Sequence, residues 1–295
     1  METLLSDLGF RALWTPELLV MLLIVALLYI VLSRETNTNE LKKTTFFMLG
    51  VIALYFGWGS PLYVTGHVMM TLHMLQMVFV YFIAVPLLLL GIPTKWYEAI
   101  IQSKLAFKPL RMIWNPIVAL LLFNGLFSFY HVPSMFDTLM LSPVLHSGYQ
   151  WILLIAAALM WWFIISPMPS SNKLPDLRRI FYIFANGLLI TPACALIIFA
   201  PSAMYAVYTD PVIWANVMAF CLPSGAGADM ILSAFGSPQA LAIFDARTDQ
   251  QLAGVMMKVF QEIVYGIAIG YVFKQWLKKE KLQDGELTIS DLPQS

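Results

Sequence analysis

Residues 66–91 read GHVMMTLHMLQMVFVYFIAVPLLLLG. From Val78 to Gly91 the run carries no charged residue. A bilayer core takes about 20 predominantly apolar residues as helix, so this stretch predicts a membrane crossing over 68–90. Its entrance has a different character. It holds two of the chain's four histidines, His67 and His73, and four methionines, Met69, Met70, Met74 and Met77.

Six more segments read as crossings: 13–32, 46–63, 113–130, 146–166, 180–200 and 252–273. Of the 295 residues, 60% are hydrophobic and 12% charged, about half the charged fraction of a soluble domain. The expected fold is an all-α integral membrane protein, a bundle of seven transmembrane helices in one domain over 1–273. A polar tail, 274–295, follows. The formal net charge is zero and there is no long basic tract, which speaks against nucleic acid as a partner and leaves the lipid bilayer.

The basic residues orient the bundle. Arg34, Lys42 and Lys43 lie between the first two crossings, and Lys95, Lys104, Lys108 and Arg111 between the third and fourth. Lys173, Arg178 and Arg179 lie between the fifth and sixth, and Lys274, Lys278, Lys279 and Lys281 follow the seventh. That places 14 of 17 basic residues on one side. The positive-inside rule makes it the cytoplasmic side, with the N-terminus outside and the C-terminus cytoplasmic. Residues 201–251 fit less simply. Val212 to Leu222 is too short to span, and reads as an outer-surface helix or a re-entrant piece before a turn at Pro223–Gly227.

In this topology all four histidines fall on the outer side. His67 and His73 open the third crossing, His131 closes the fourth and His146 opens the fifth. At about 100° per residue, His67, Met70, His73, Met74 and Met77 share roughly a third of a continuous helix circumference. Met135 and Met140 of the next outer loop add thioethers if they face the same cavity. Imidazole and thioether together suit cuprous copper, and thioether is a poor ligand for hard ions. Methionine also fills gaps in packed helices, so the stripe has a packing reading too.

Other polar residues have simpler readings. Lys258 and Glu262, four apart, read as an ion pair inside the bundle or as a relay. Asn124 and Asn186 read as hydrogen-bonding partners between helices, and Gly254, Gly266 and Gly270 as sites of close helix packing. Cys194 and Cys221 form no metal or redox motif. No nucleophile elbow, zinc-protease helix or phosphate loop is present.

Four stretches carry a family resemblance: LGFRALWTPELL from Leu8, residues 59–93, residues 129–167, and DQQLAGVMMKVFQEIVYG from Asp249. Together they cover nearly the whole chain in order. Their His-Met-x-Gln, His-x-Pro and Asp-Gln-x-x-Ala-Gly elements resemble those of the CtaG family of cytochrome c oxidase assembly factors, the multispan type of Gram-positive bacteria. The resemblance implies a seven-helix protein of the bacterial cell membrane that is required to make a haem–copper oxidase active, with an oxidase subunit as partner. Copper insertion is the role usually proposed for it. The family's histidine motifs map onto His73, His131 and His146, and onto His67. Many relatives have a histidine where this chain has Met77, and a Glu-His pair where it has Tyr149-Gln150.

Residues and resemblance together give the leading expectation. It is a non-enzymatic assembly factor that binds Cu(I) transiently and passes it on. His67, His73 and Met77 are the first ligand candidates, His131 and His146 close the site, and Met70 and Met74 come second. The alternatives are a metal-free scaffold for an oxidase subunit, or a copper transporter.

Overall fold

The computed structural model describes residues 2–35, 40–102, 114–165, 174–221 and 227–286. All regular structure among them is helical. The principal helices are α1 (Pro16–Glu35), α2 (Leu41–Gly59), α3 (Pro61–Thr65), α4 (Met70–Met77) and α5 (Val85–Gly91). They continue with α6 (Pro116–Tyr130), α7 (Pro133–Met140), α8 (Pro143–Ile165) and α9 (Asp176–Ile198). Last come α10 (Pro211–Ala219), α11 (Ala228–Phe235) and α12 (Ala246–Glu286). The expected turn at 223–227 lies outside the described residues except for Gly227.

Five helical stretches are long and apolar enough to cross a membrane: 16–34, 70–91, 143–165, 176–198 and 246–281. A sixth arises if α6 and α7, bent by 78° at residues 131–132, count as one broken crossing. The chain is therefore a multi-pass membrane protein. The expected crossing 46–63 falls mostly in α2. That helix has 19 residues, but it opens on Leu-Lys-Lys-Thr-Thr, so its apolar part is shorter than that of the five.

The crossing quoted first is not a uniform helix. Between α4 and α5 the chain winds as a π-helix over Val78–Ala84, just before Pro86. Proline has no N–H to donate. In the five-residue register of a π-helix its partner would be the carbonyl of Tyr81. The Trp161 indole N–H of α8 donates to that oxygen instead, at 2.9 Å. A buried carbonyl is thereby satisfied and α8 is keyed to the π segment.

Small residues bring α2 against this crossing. A Cβ at Gly50 would lie 2.8 Å from Leu88, and one at Gly57 2.5 Å from Val80. The closest approach to backbone is at Gly91, where a Cβ would lie 2.5 Å from the Phe47 nitrogen. The Gly91 carbonyl also accepts from the Tyr29 hydroxyl of α1 at 2.9 Å. Of the α12 glycines, Gly254 packs against Ile198 and the Cys194 carbonyl, whereas Gly266 and Gly270 face open space. The expected close packing at the last two is thus corrected. We expect Gly91→Ala to lower the melting temperature in detergent, because backbone cannot rotate out of the clash, at a cost of about 1–3 kcal/mol. Gly266→Ala should leave it unchanged or slightly raised. Equal melting of both variants would contradict this packing.

Polar side chains close the remaining gaps. Asn124 donates to Asn186 Oδ1 at 2.8 Å, joining α6 to α9. Arg179 is fully buried and donates to the carbonyls of Ile164 and Ile165, the last carbonyls of α8, which have no partner within their own helix. Asp176 pairs with both Arg179 and Lys279. Lys258 pairs with Glu262 at 2.6 Å, but the Glu262 side chain is 58% exposed. The pair therefore sits at the seam of α9 and α12, with Glu262 toward the outside and Lys258 donating to the Gly187 carbonyl and Thr191 Oγ1 of α9. Cys194 and Cys221 are free thiols.

Candidate metal centre

The four histidines converge. The rings of His73 and His131 have centroids 6.3 Å apart, and those of His67 and His146 are 6.1 Å apart. Tyr130 lies between the pairs, with its ring centroid 5.8 Å from His73, 5.1 Å from His131 and 6.1 Å from His146. All four imidazoles are buried, His73 completely.

Each arrives by a different local route. His67 is not on the helix of His73, contrary to the continuous-helix reading. α3 ends at Thr65, residues 66–68 turn, and Met69 is extended at φ −132° and ψ 128°. α4 starts only at Met70. The cause is Asp249, 179 residues further on. Its carboxyl oxygens accept from the Met70 N–H at 2.6 Å and the Thr71 N–H at 3.3 Å. The first N–H groups of a helix lack internal partners and attract negative charge, so Asp249 defines where α4 begins. Gly66 then lets the turn lie on α4, since a Cβ there would sit 3.2 Å from the His73 Cα.

His67 and His131 share a second device. His67 Nδ1 lies 2.8 Å from the Tyr63 carbonyl, and His131 Nδ1 lies 2.7 Å from the Phe127 carbonyl. A carbonyl only accepts, so each Nδ1 carries the proton and each neutral ring presents the Nε2 lone pair. Such a contact also fixes a ligand's orientation. Burial holds the His67 imidazole below its ordinary pKa, although the Tyr63 carbonyl favours its protonated form.

The remaining nitrogens divide sharply. His146 Nε2 is engaged by the Tyr130 hydroxyl at 2.8 Å and the Gln150 amide at 3.0 Å. Both nitrogens of His73 and Nε2 of His131 are buried without a hydrogen-bond partner. Buried polar atoms are almost always paired, so three orphaned nitrogens on two neighbouring rings set this pair apart as a candidate ligand site. Met70, Met74 and Met77 are each 1% exposed and belong to the main core, as does Met140, with Met135 packed against it. Among the described residues no group of three or more His, Cys, Asp and Glu side chains is placed to hold a metal ion.

A cover closes over the cluster, held by hydrogen bonds that no side-chain motif announces. The Tyr208 hydroxyl donates to the Gly66 carbonyl at 2.8 Å. The Trp214 indole donates to the His67 carbonyl at 3.1 Å, and the Tyr205 hydroxyl to the His131 carbonyl at 2.8 Å. Asp137 caps the same segment by accepting from the N–H groups of Ala206 and Val207. The Val212–Leu222 run thus contains α10, a short helix whose buried face includes Trp214 and Met218. Gln250 ties the base of the cover, accepting from the Met204 N–H and donating to the Ile197 carbonyl.

The profile of the cytochrome c oxidase caa3 assembly factor family matches residues 14–279. The chain belongs to this family. No curated protein and no solved structure matches it. As a caa3 assembly factor, the chain has cytochrome c oxidase and lipid as its partners. The Asp-Gln-x-x-Ala-Gly element is structural here. Asp249 caps α4, Gln250 ties the cover, Ala253 is buried, and Gly254 admits α9.

Proposed function

We propose that this assembly factor binds Cu(I) between His73 and His131 and passes it to the nascent oxidase without catalysing a reaction. The observation that carries the reading is the set of three buried, unpartnered nitrogens on these two rings. Two imidazoles bound to one ion through metal–nitrogen bonds of about 2 Å have ring centres about 5–6 Å apart. The 6.3 Å spacing needs little adjustment to reach that. The neutral tautomer imposed on His131 suits a metal ligand. His67 is prepared in the same way and is the next ligand to engage. His146 is held by Tyr130 and Gln150 and takes a supporting role. Met70, Met74 and Met77 supply the soft donors that favour cuprous over harder ions. A site with few ligands also suits a carrier that must release its cargo.

In this reading the histidine end faces outward, the lysine-rich end is cytoplasmic and α2 is an additional crossing. That gives seven crossings, with α7 and α10 at the outer surface. Transport is less favoured, because Lys258 is held by the Gly187 carbonyl and Thr191 Oγ1 of α9 and Glu262 opens to the outer surface. The metal-free scaffold draws support from Met70, Met74 and Met77, which pack in the core.

X-ray absorption at the copper edge of protein loaded with Cu(I) tests the assignment. Nitrogen scatterers should dominate and should diminish in His73→Ala/His131→Ala. A first shell unchanged by that double substitution refutes it.

A further inference from the structure

A cavity of about 700 Å³ lies toward the end of the bundle away from the histidines. Its mouth is formed by Glu40, Lys42 and Lys43 around the first turn of α2. Its walls include Phe82 of the π segment, Leu87 and Leu90 of α5, Trp161 of α8 and Ala268 of α12. From Leu90 to Phe82 the wall runs eight residues, about 12 Å of helix, so the cavity reaches well below the mouth. Its interior is apolar, and the Trp161 indole N–H is already committed to the Tyr81 carbonyl.

The two lysines at the mouth are not equivalent. Lys43 pairs with Glu40 at 2.9 Å and reaches Thr94 Oγ1 at 3.5 Å. Lys42 is exposed and lies 5.9 Å above the Phe46 ring, with no ion pair among the described residues. The mouth therefore carries one uncompensated positive charge above a deep apolar slot. A soluble metabolite would need polar groups converging inside the pocket, which these walls do not provide. A basic rim over an apolar gap between membrane helices fits an anionic lipid headgroup with its chain buried.

We propose that this cavity is a binding site for an anionic phospholipid. The phosphate sits at Lys42, with Lys43 beside it, and one acyl chain enters between α5, α8 and α12. The site is separate from the histidine cluster and does not depend on copper binding.

The full-length protein would be reconstituted in vesicles of equal phosphatidylglycerol and phosphatidylcholine, extracted gently, and its retained lipids quantified by native mass spectrometry. Wild type should retain phosphatidylglycerol over phosphatidylcholine by about fivefold, the effect of one lysine at a leaflet surface. Lys42→Gln, a change at an exposed position, should retain both lipids about equally. Leu87→Trp, which fills the slot, should retain little of either. Equal retention of the two lipids by wild type, or an unchanged preference in Lys42→Gln, would overturn the proposal. So would wild-type retention by Leu87→Trp, or a mass showing a second copy of the chain in place of lipid.

Discussion

Cells whose only copy of this protein carries His73→Ala/His131→Ala are expected to assemble oxidase with less than about a tenth of wild-type activity. The estimate follows from losing both central ligands, since weakening a metal site's supporting interactions alone commonly costs 10–100-fold in affinity or activity. The His73 side chain has no hydrogen bond to lose, and His131 loses only the one from its Nδ1 to the Phe127 carbonyl, while alanine at both positions removes three orphaned nitrogens from an apolar core. The folded state should therefore survive the change, which separates a ligand role from a packing role. His146→Ala should be milder for oxidase activity, because its Nε2 is already engaged by Tyr130 and Gln150. Oxidase activity and copper content, measured together with the level of the assembly factor in the membrane, check both statements. A stable double variant with full oxidase activity would favour the metal-free scaffold.

Asp249→Ala is expected to have the second largest effect, although Asp249 touches no histidine side chain in the contacts described. It would leave the Met70 and Thr71 N–H groups unpaired in a buried position. Removing one partner of a buried hydrogen bond costs about 1–3 kcal/mol. The start of α4 would also lose the charge that suits a helix N-terminus. His67 precedes that start and His73 follows it, so the two rings would no longer be held in register. The variant should melt at lower temperature in detergent and bind Cu(I) at least tenfold more weakly. Asp249→Asn keeps one acceptor oxygen and should fall between the two. If Asp249→Ala matches wild type in both measurements, the cap does not position the site.

The sequence made some of this legible and hid the rest for identifiable reasons. Long apolar runs such as 70–91 and 143–165 show membrane helices directly, because a bilayer demands both length and hydrophobicity. Placing the histidines at crossing ends was likewise readable, and the Asn124–Asn186 bond followed from two amides at membrane depth. The break before Met70 was not readable, because the capping carboxyl comes from Asp249 at the far end of the chain. For the same reason a helical wheel put His67 and His73 on one helix face, whereas a turn brings His67 in. The cover was obscured because α10 is only nine residues long, and its hydrogen bonds run to backbone carbonyls, which no side-chain motif announces. Tyr130 and Gln150 were passed over because aromatic and amide residues near crossing ends are common. A tyrosine directly before His131 was the available signal. Glu262 looked buried from its position along the crossing, but depth in a bilayer says nothing about which face of the helix a residue occupies.

The most direct test of the central claim is a Cu(I) titration of purified protein in detergent against a chromogenic chelator, with wild type beside His73→Ala/His131→Ala. The account predicts one tightly bound equivalent in wild type and none in the double variant. Folded wild-type protein that binds no copper, or a double variant that binds as wild type does, would contradict it.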